Sequence, residues 1–177
     1  MSSDSTCLAY GRYLIQYDAF NRVLAVAIGK ASGLRLAHAA VLTSQVQAKS
    51  RPHVLRALLQ QDSEAPRLVQ ALGEFIQERK RQPVAAGTAA LLPEGLLQFT
   101  RGDVSIKAGS PVSVYEAAEI DAETEALVQL ADLVCEGLDI QPADLEAYQR
   151  ALTDVMGKRR KPKAGADAEA GDEADEA

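Results

Sequence analysis

The sequence predicts an all-α protein, a helical bundle of about five helices with a short β-hairpin or extended loop before the penultimate helix. Hydrophobic residues make up 47% of the 177 residues, but only 5% are aromatic and Trp is absent. The core must therefore come from Leu, Val, Ile and Ala, and a chain rich in Leu and Ala favours helices. Apolar residues also recur every three or four positions, except in 87–120, where glycines and prolines concentrate.

The first predicted helix runs from Leu8 to Ile28. Its apolar face has helical spacing and consists of Tyr10, Leu14, Tyr17, Phe20 or Asn21, Leu24 and Ile28. Gly29 and Gly33 follow, and glycine commonly ends a helix. Tyr13 and Tyr17 could form a stacking pair for a ligand, although packing along one helix face is the interpretation we favour.

The second predicted helix runs from Leu34 to Lys49. Its predicted inner face consists of Leu34, His38, Val41, Leu42, Gln45 and Val46. Ser50 is a suitable N-cap for a third helix, and Pro52 fits the first turn of that helix. This third helix should end near Gln61.

A fourth helix is predicted to begin at Ser63 and to end in a basic cluster, Arg79–Arg81. Cations suit the negative end of a helix, and Pro83 disfavours helical geometry at Gln82. In the segment that follows, Leu97–Phe99 and Val104–Ile106 alternate as hairpin strands do, and Val112 and Val114 could add an extended piece.

The penultimate helix is predicted from Ala122 to Leu138, with Asp121 as its N-cap. A last helix should follow Pro142 and close at Gly157. These elements give one helical-bundle domain over 8–157, between a flexible N-terminus (1–7) and a tail (158–177).

The tail combines a basic run with an acidic one. Residues 158–163 hold five Lys or Arg, and residues 164–177 hold six Asp or Glu and no apolar side chain larger than Ala. Such a segment cannot join a core, so we expect it to be disordered. The body, 1–157, keeps a net charge of −5, which argues against a broad nucleic-acid surface.

Few residues suit catalysis or metal binding. Neither His38 nor His53 has a Cys, Asp, Glu or second His three or four positions away, so we predict no metal and no cofactor. Cys135 lies in an apolar run and is predicted to be a core thiol, while Cys7 lies near the terminus. The first residues lack a signal-peptide pattern and no stretch of 18 apolar residues occurs, so we expect a cytoplasmic protein without a membrane partner.

Four segments together carry a resemblance to a known family. Their order resembles that of the HEPN-like superfamily of prokaryotic helical bundles. The segments are YLIQYDAFNRVLAVAI, RLAHAAVLTSQVQAKSRPHVLRALLQ, LVQALGEFIQERKRQPVAAG and LLQFTRGD. The resemblance covers about residues 8–138.

This resemblance implies a homodimer and a mid-chain signature. Active members pair an Arg with a His a few residues later, which together cut RNA across the dimer cleft. Arg81 stands at the Arg position, Gln82 at the polar position after it, and Ala86 at the His position. Alanine cannot transfer protons, so we predict no catalytic residue and a candidate binding cleft at Arg79, Arg81 and Gln82.

The resulting expectation is a non-catalytic HEPN-like binding protein with an unknown protein partner. One alternative is an RNA-cleaving toxin with displaced chemistry, at His38 or His53. Another is an inhibitor of a host defence system, encoded by a phage or mobile element. RNA contact is possible through the tail residues Lys158, Arg159, Arg160 and Lys161, since flexible cations add sequence-independent affinity for phosphates.

Overall fold

Six α-helices and a small antiparallel sheet build the fold, in a computed structural model that describes residues 3–62, 65–81, 87–101 and 112–160. In chain order the elements are α1 (Ser3–Ala31), α2 (Leu36–Thr43), a 3-10 turn (Ala48–Ser50), α3 (Arg51–Asp62), α4 (Pro66–Arg81), β1 (Gly87–Leu91), β2 (Leu97–Arg101), β3 (Val112–Tyr115), α5 (Ala117–Gly137) and α6 (Pro142–Arg160). The predicted all-α bundle with a short hairpin before the penultimate helix is confirmed.

The first helix, α1, is the centre of the bundle. It packs against α2, α3, α5 and α6, and every residue from Val23 to Gly29 is buried. It ends at Ala31, and the positive φ of Gly33, 64°, allows the Leu34 amide to donate to the Gly29 carbonyl at 2.9 Å. Leu14, predicted on the inner face of this helix, is exposed, and Tyr13 is buried instead.

The start of α1 corrects the predicted flexible segment 1–7 over residues 3–7, because the helix begins at Ser3 and not at Leu8. Thr6 is fully buried, and its hydroxyl donates to the carbonyl of Gly95 at 2.6 Å. A contact between residues so far apart in the chain stabilises a turn that the polar local sequence does not favour by itself.

The second helix is shorter than predicted, since it ends at Thr43 and not at Lys49. The hydroxyls of Thr43 and Ser44 donate back to the carbonyls of Ala39 and Val41, both at 2.7 Å. Such bonds compete with the continuing helical ladder, and the chain proceeds through a 3-10 turn into α3.

The sheet has the strand order β1-β2-β3 and is antiparallel throughout. The hairpin joins β1 to β2 through residues 92–96, where Gly95 has a φ of 78°. The predicted strand Val104–Ile106 lies outside the described residues, and β1 was not predicted. The buried ring of Phe99 on β2 meets Tyr10 of α1 and Tyr115 of β3 edge to face, with centroids 5.4 and 5.5 Å apart.

Both C-terminal helices differ from prediction at their ends. The helix α5 begins at Ala117, where the Glu119 carboxylate accepts the amide of Glu116 at 2.8 Å. Asp121, the predicted N-cap, instead binds Arg12 of α1 at 2.8 Å. The helix α6 continues past Gly157 to Arg160, so the first three residues of the predicted disordered tail are helical. Residues 161–177 lie outside the described part.

Candidate functional site

The predicted cleft residues are placed only in part. Arg79 and Arg81 belong to the last turn of α4, as the basic helix end predicted. Their side chains, and Gln82 as a whole, lie outside what the structure describes, as does Lys161. Lys158, Arg159 and Arg160 belong to the last turn of α6. The candidate cleft and the tail contact therefore remain predictions.

A different surface is built by α2. Its outward side carries Ala37, His38, Val41 and Leu42. Together with Leu34, which lies two residues before the helix, they form what we call the α2 face. Leu34, Val41 and Leu42 are 37%, 46% and 43% exposed. The sequence predicted Leu34, His38, Val41 and Leu42 as part of the inner face, and for these residues the prediction is wrong. The residues that α2 buries are Ala39, Ala40 and Thr43.

Small residues explain why α2 is oriented in this way. A Cβ on Gly29 of α1 would lie 2.6 Å from the Cβ of Ala39, closer than two carbons can pack. The glycine thus lets α2 approach the backbone of α1, and only the small side of α2 fits there. The larger Leu and Val side chains are left pointing outward.

A buried polar network holds α2 in this orientation. The Thr43 hydroxyl has one proton, which it donates to the Ala39 carbonyl, so the Tyr148 hydroxyl of α6 must donate to Thr43 Oγ1 at 2.8 Å. The guanidinium of Arg51 donates to the carbonyls of Thr43 and Asn21, both at 3.0 Å. Since α3 and α6 bind the end of α2 directly, and α1 holds the same Arg51 through Asn21, the α2 face is presented on a fixed support.

A second exposed apolar row lies on α1. Leu8, Gly11, Leu14 and Ile15 form it, and we call them the α1 stripe. Leu8 and Ile15 are 65% and 67% exposed, higher than any other large hydrophobic residue in the described part. Their spacing of seven residues puts both on one side of the helix.

The three tyrosines of α1 stack on one another. The rings of Tyr10, Tyr13 and Tyr17 stack along the helix with centroids 6.4 and 6.0 Å apart, and Tyr13 is buried. Burial raises the pKa of Tyr10 above its usual value. These features fit the packing interpretation, with the rings lying between α1 and its neighbours.

The other candidates for chemistry are dispersed. His38 and His53 are exposed, on α2 and α3. Burial, with the charge of Asp132 as a smaller cause, raises the pKa of the half-buried Cys135 thiol and so disfavours the reactive thiolate. Within the described residues no group of three or more His, Cys, Asp or Glu side chains could hold a metal ion. None of the helices described there is long and apolar enough to cross a membrane.

Comparisons of the chain with protein families, with curated proteins and with solved structures found no match, so the HEPN-like assignment remains a prediction from the segments quoted above.

Proposed function

We propose that this chain acts by binding protein through the α2 face and has no catalytic activity of its own. The observation that carries the proposal is that the most hydrophobic row of α2 points away from the bundle. The proposal keeps the expected HEPN-like scaffold, in which Ala86 replaces the proton-transferring His.

The α2 face has the chemistry of a protein contact. The helix sequence LAHAAVLT contains no Asp, Glu, Lys or Arg. Neighbouring apolar side chains that remain in water raise the free energy of the free protein, and burial recovers about 25 cal/mol for each Å². Contiguous apolar surface, in contrast to single exposed hydrophobic residues, is the kind that protein partners cover.

The support behind the α2 face favours binding without rearrangement. The end of α2 is fixed by the hydrogen bonds of Thr43 with Arg51 and Tyr148. Ala39 of α2 packs directly against Gly29, which has no side chain. A partner that docks there meets a preorganised helix, so little conformational entropy is lost on binding.

Photo-crosslinking tests where the protein binds. A photoreactive amino acid replaces Val41, and in a second protein it replaces Gln129, an exposed residue of α5. We expect Val41 to give one discrete crosslinked protein species in cells and Gln129 to give none. Equal labelling from both positions, or no species from Val41, would contradict the proposal.

An RNA-cleavage assay tests the absence of catalysis. We expect purified protein to leave single-stranded and structured RNA intact without divalent ions. Cleavage that is abolished by Arg81→Ala would overturn this part of the proposal. Cleavage that is abolished by His38→Ala or His53→Ala would favour the alternative of an RNase with displaced chemistry.

A further inference from the structure

We propose that the occupant of the α2 face is an amphipathic helix of a partner protein, with apolar side chains on one side and acidic side chains next to them. The inference rests on the proposed function of the α2 face and adds the chemistry of the partner. It is carried by the uneven distribution of charge along the chain and around α2.

Residues 19–61 are a basic segment of an acidic chain. They contain six Lys or Arg and no Asp or Glu, whereas the rest of 1–157 contains eight Lys or Arg and 19 Asp or Glu. In the structure this segment forms the second half of α1, the whole of α2, and α3 as far as Gln61. The α2 face therefore lies in the middle of a positively charged segment, although the chain as a whole has a net charge of −6.

Two of the six cations lie at the two ends of α2. Arg35 is the N-cap residue of this helix, and Lys49 lies in the 3-10 turn that follows it. Both residues are exposed, and neither side chain forms an ion pair or hydrogen bond with another described residue. Each end of the apolar row thus offers a positive charge to a partner.

The acidic side chains of α1, which packs against α2, leave these charges in place. Asp18 is paired with Arg22 at 3.1 Å. Asp4 lies about 25 Å along α1 from Asn21, the residue to which Arg51 joins the end of α2. Neither carboxylate therefore neutralises the two cations beside the α2 face.

The acidic side chains of α6, which also packs against α2, are paired or turned away. Asp144 is paired with Lys30 at 2.8 Å. Tyr148 is the residue of α6 that hydrogen-bonds to α2. Glu146 and Asp154 lie at least about 120° around the helix from Tyr148. A carboxylate that a partner brings to either end of α2 therefore meets a cation that is not already bound.

The backbone of α2 favours a helix as the partner. Over most of its length α2 bonds its own N–H and C=O groups, so the α2 face offers side chains. An extended peptide needs hydrogen-bond partners for its backbone where it docks, whereas a helix satisfies its own. The eight residues of α2 extend about 12 Å, which about two turns of a partner helix would cover.

Charge selects the α2 face for an acidic helix. The carboxylates outside 19–61 repel such a helix, while Arg35 and Lys49 attract it. A basic helix would be drawn to the rest of the protein instead. An anionic membrane also suits an apolar row with cations, but a bilayer is far wider than the α2 face and would meet the acidic surfaces as well.

Fluorescence anisotropy of the full chain with two labelled synthetic peptides tests this chemistry. Both peptides have about 15 residues and carry Leu at i, i+3, i+4 and i+7, with Glu on the polar side of one and Lys on that of the other. We expect the Glu peptide to bind at least about tenfold more tightly, and added salt to weaken its binding because exposed charges are screened. The net charge of the protein alone would give the opposite order.

Charge reversal at the ends of α2 tests where the peptide binds. The double variant Arg35→Glu, Lys49→Glu should bind the Glu peptide at least about tenfold more weakly and the Lys peptide more tightly than the wild type does. The matched control is Arg67→Glu, Arg150→Glu, which reverses two exposed cations on α4 and α6 and should leave both affinities unchanged. Val41→Asp should weaken both peptides, since it places a charge in the apolar row. Circular dichroism checks that each variant folds.

Three outcomes would overturn the inference. They are a Lys peptide that binds as well as the Glu peptide, a control variant that weakens the Glu peptide as much as the reversal at α2 does, and a chain that binds phosphatidylglycerol vesicles but not the Glu peptide. In cells, a Val41 crosslink to a partner segment without acidic residues would remove this inference and leave the proposed function intact. A Val41 position that captures nothing would remove the proposed function itself.

Discussion

Thr43 shows how a single residue can connect three helices. It ends α2 by bonding back to Ala39, it accepts the hydroxyl of Tyr148, and its carbonyl accepts Arg51. All three partners lie in the protein interior or at its edge, where a polar group without a partner is costly.

At this residue we predict that Thr43→Val lowers the free energy of unfolding by about 1–3 kcal/mol. The substitution removes the acceptor for Tyr148, whose hydroxyl is buried, and a buried group left without a partner costs about that much. Urea titration followed by circular dichroism measures the change.

The control for Thr43 is Thr153→Val on α6. Thr153 makes the same backward bond, to the Gln149 carbonyl at 2.9 Å, but is exposed. In the variant, water can bind the Gln149 carbonyl in place of the hydroxyl. We therefore expect the free energy of unfolding to change by less than about 0.5 kcal/mol. Equal losses for the two variants would show that Thr43 contributes no more than its local backbone bond.

A second prediction at the level of single residues comes from the close contact between Gly29 and α2. We expect Gly29→Ala to destabilise the protein by about 1–3 kcal/mol, because the added Cβ would lie 2.6 Å from the Cβ of Ala39 and the helices must separate. Gly157→Ala on α6 is the control, since its added Cβ meets nothing within 4 Å. There the better helix propensity of Ala should stabilise the protein slightly. Thermal unfolding should therefore show a lower melting temperature for Gly29→Ala and a slightly higher one for Gly157→Ala.

At the scale of elements, a polar cluster joins the end of α1 to the start of α6. Lys30 of α1 binds the carboxylate of Asp144 at 2.8 Å and also donates to the Asp139 carbonyl. The backbone N–H of Gln141 donates to the same carboxylate at 2.9 Å. The bond from Lys30, and after it the bond from Gln141, lower the pKa of Asp144 below its usual value of 3.8.

This cluster gives a pH-dependent prediction. A carboxyl group with a lowered pKa in the folded state stabilises the protein above its unfolded pKa, and the contribution is lost as pH falls through the folded value. We therefore expect Asp144→Asn to destabilise the protein at pH 7 by up to about 1 kcal/mol, since the pair is partly exposed. The difference from wild type should shrink as the pH falls below about 3.8.

Urea titrations at pH 7 and pH 3 measure this difference. Asp154→Asn, an exposed position on the same helix, controls for the loss of one negative charge. A difference between wild type and Asp144→Asn that is the same at both pH values would contradict the role of the charged pair.

The element scale also shows what the sequence can predict. The 3.6-residue period predicted a bundle of about five helices, and it indicated a helix at the place of each of the six found in the described residues, because each buries a stripe against the bundle. The same period chose the wrong side of α2, since it counts Leu34 and Val41 as core and gives no weight to a close approach through glycine and alanine. The strand β1 was missed because its sequence, GTAAL, has neither alternation nor a β-branched apolar residue.

The network behind the α2 face was beyond sequence analysis for a different reason. Thr43 and Tyr148 are 105 residues apart, so only the tertiary fold brings their hydroxyls together. The signal that could have indicated it is Thr43 inside an apolar helix, a position where a hydroxyl needs a partner.

At the scale of the whole molecule, Phe99 joins the sheet to the bundle. Its buried ring lies between Tyr10 of α1 and Tyr115 of β3. We predict that Phe99→Ala lowers the free energy of unfolding by about 3–5 kcal/mol, the usual cost of removing a buried ring. Urea titration checks the value, and Val114→Ala, exposed on the neighbouring strand, should change it by less than about 0.5 kcal/mol.

The length and position of α1 have a consequence for synthesis on the ribosome. The helices that pack against α1 include α5 and α6, which end at Gly137 and Arg160. Translation adds about 5–20 residues each second. The apolar side of α1 therefore stays uncovered for several seconds before α5 and α6 have been synthesised. During that interval the nascent chain offers Tyr13, Phe20 and Leu24 to any chaperone at the exit tunnel. We expect rapid dilution from denaturant, where all helices are present together, to fold the chain without this delay.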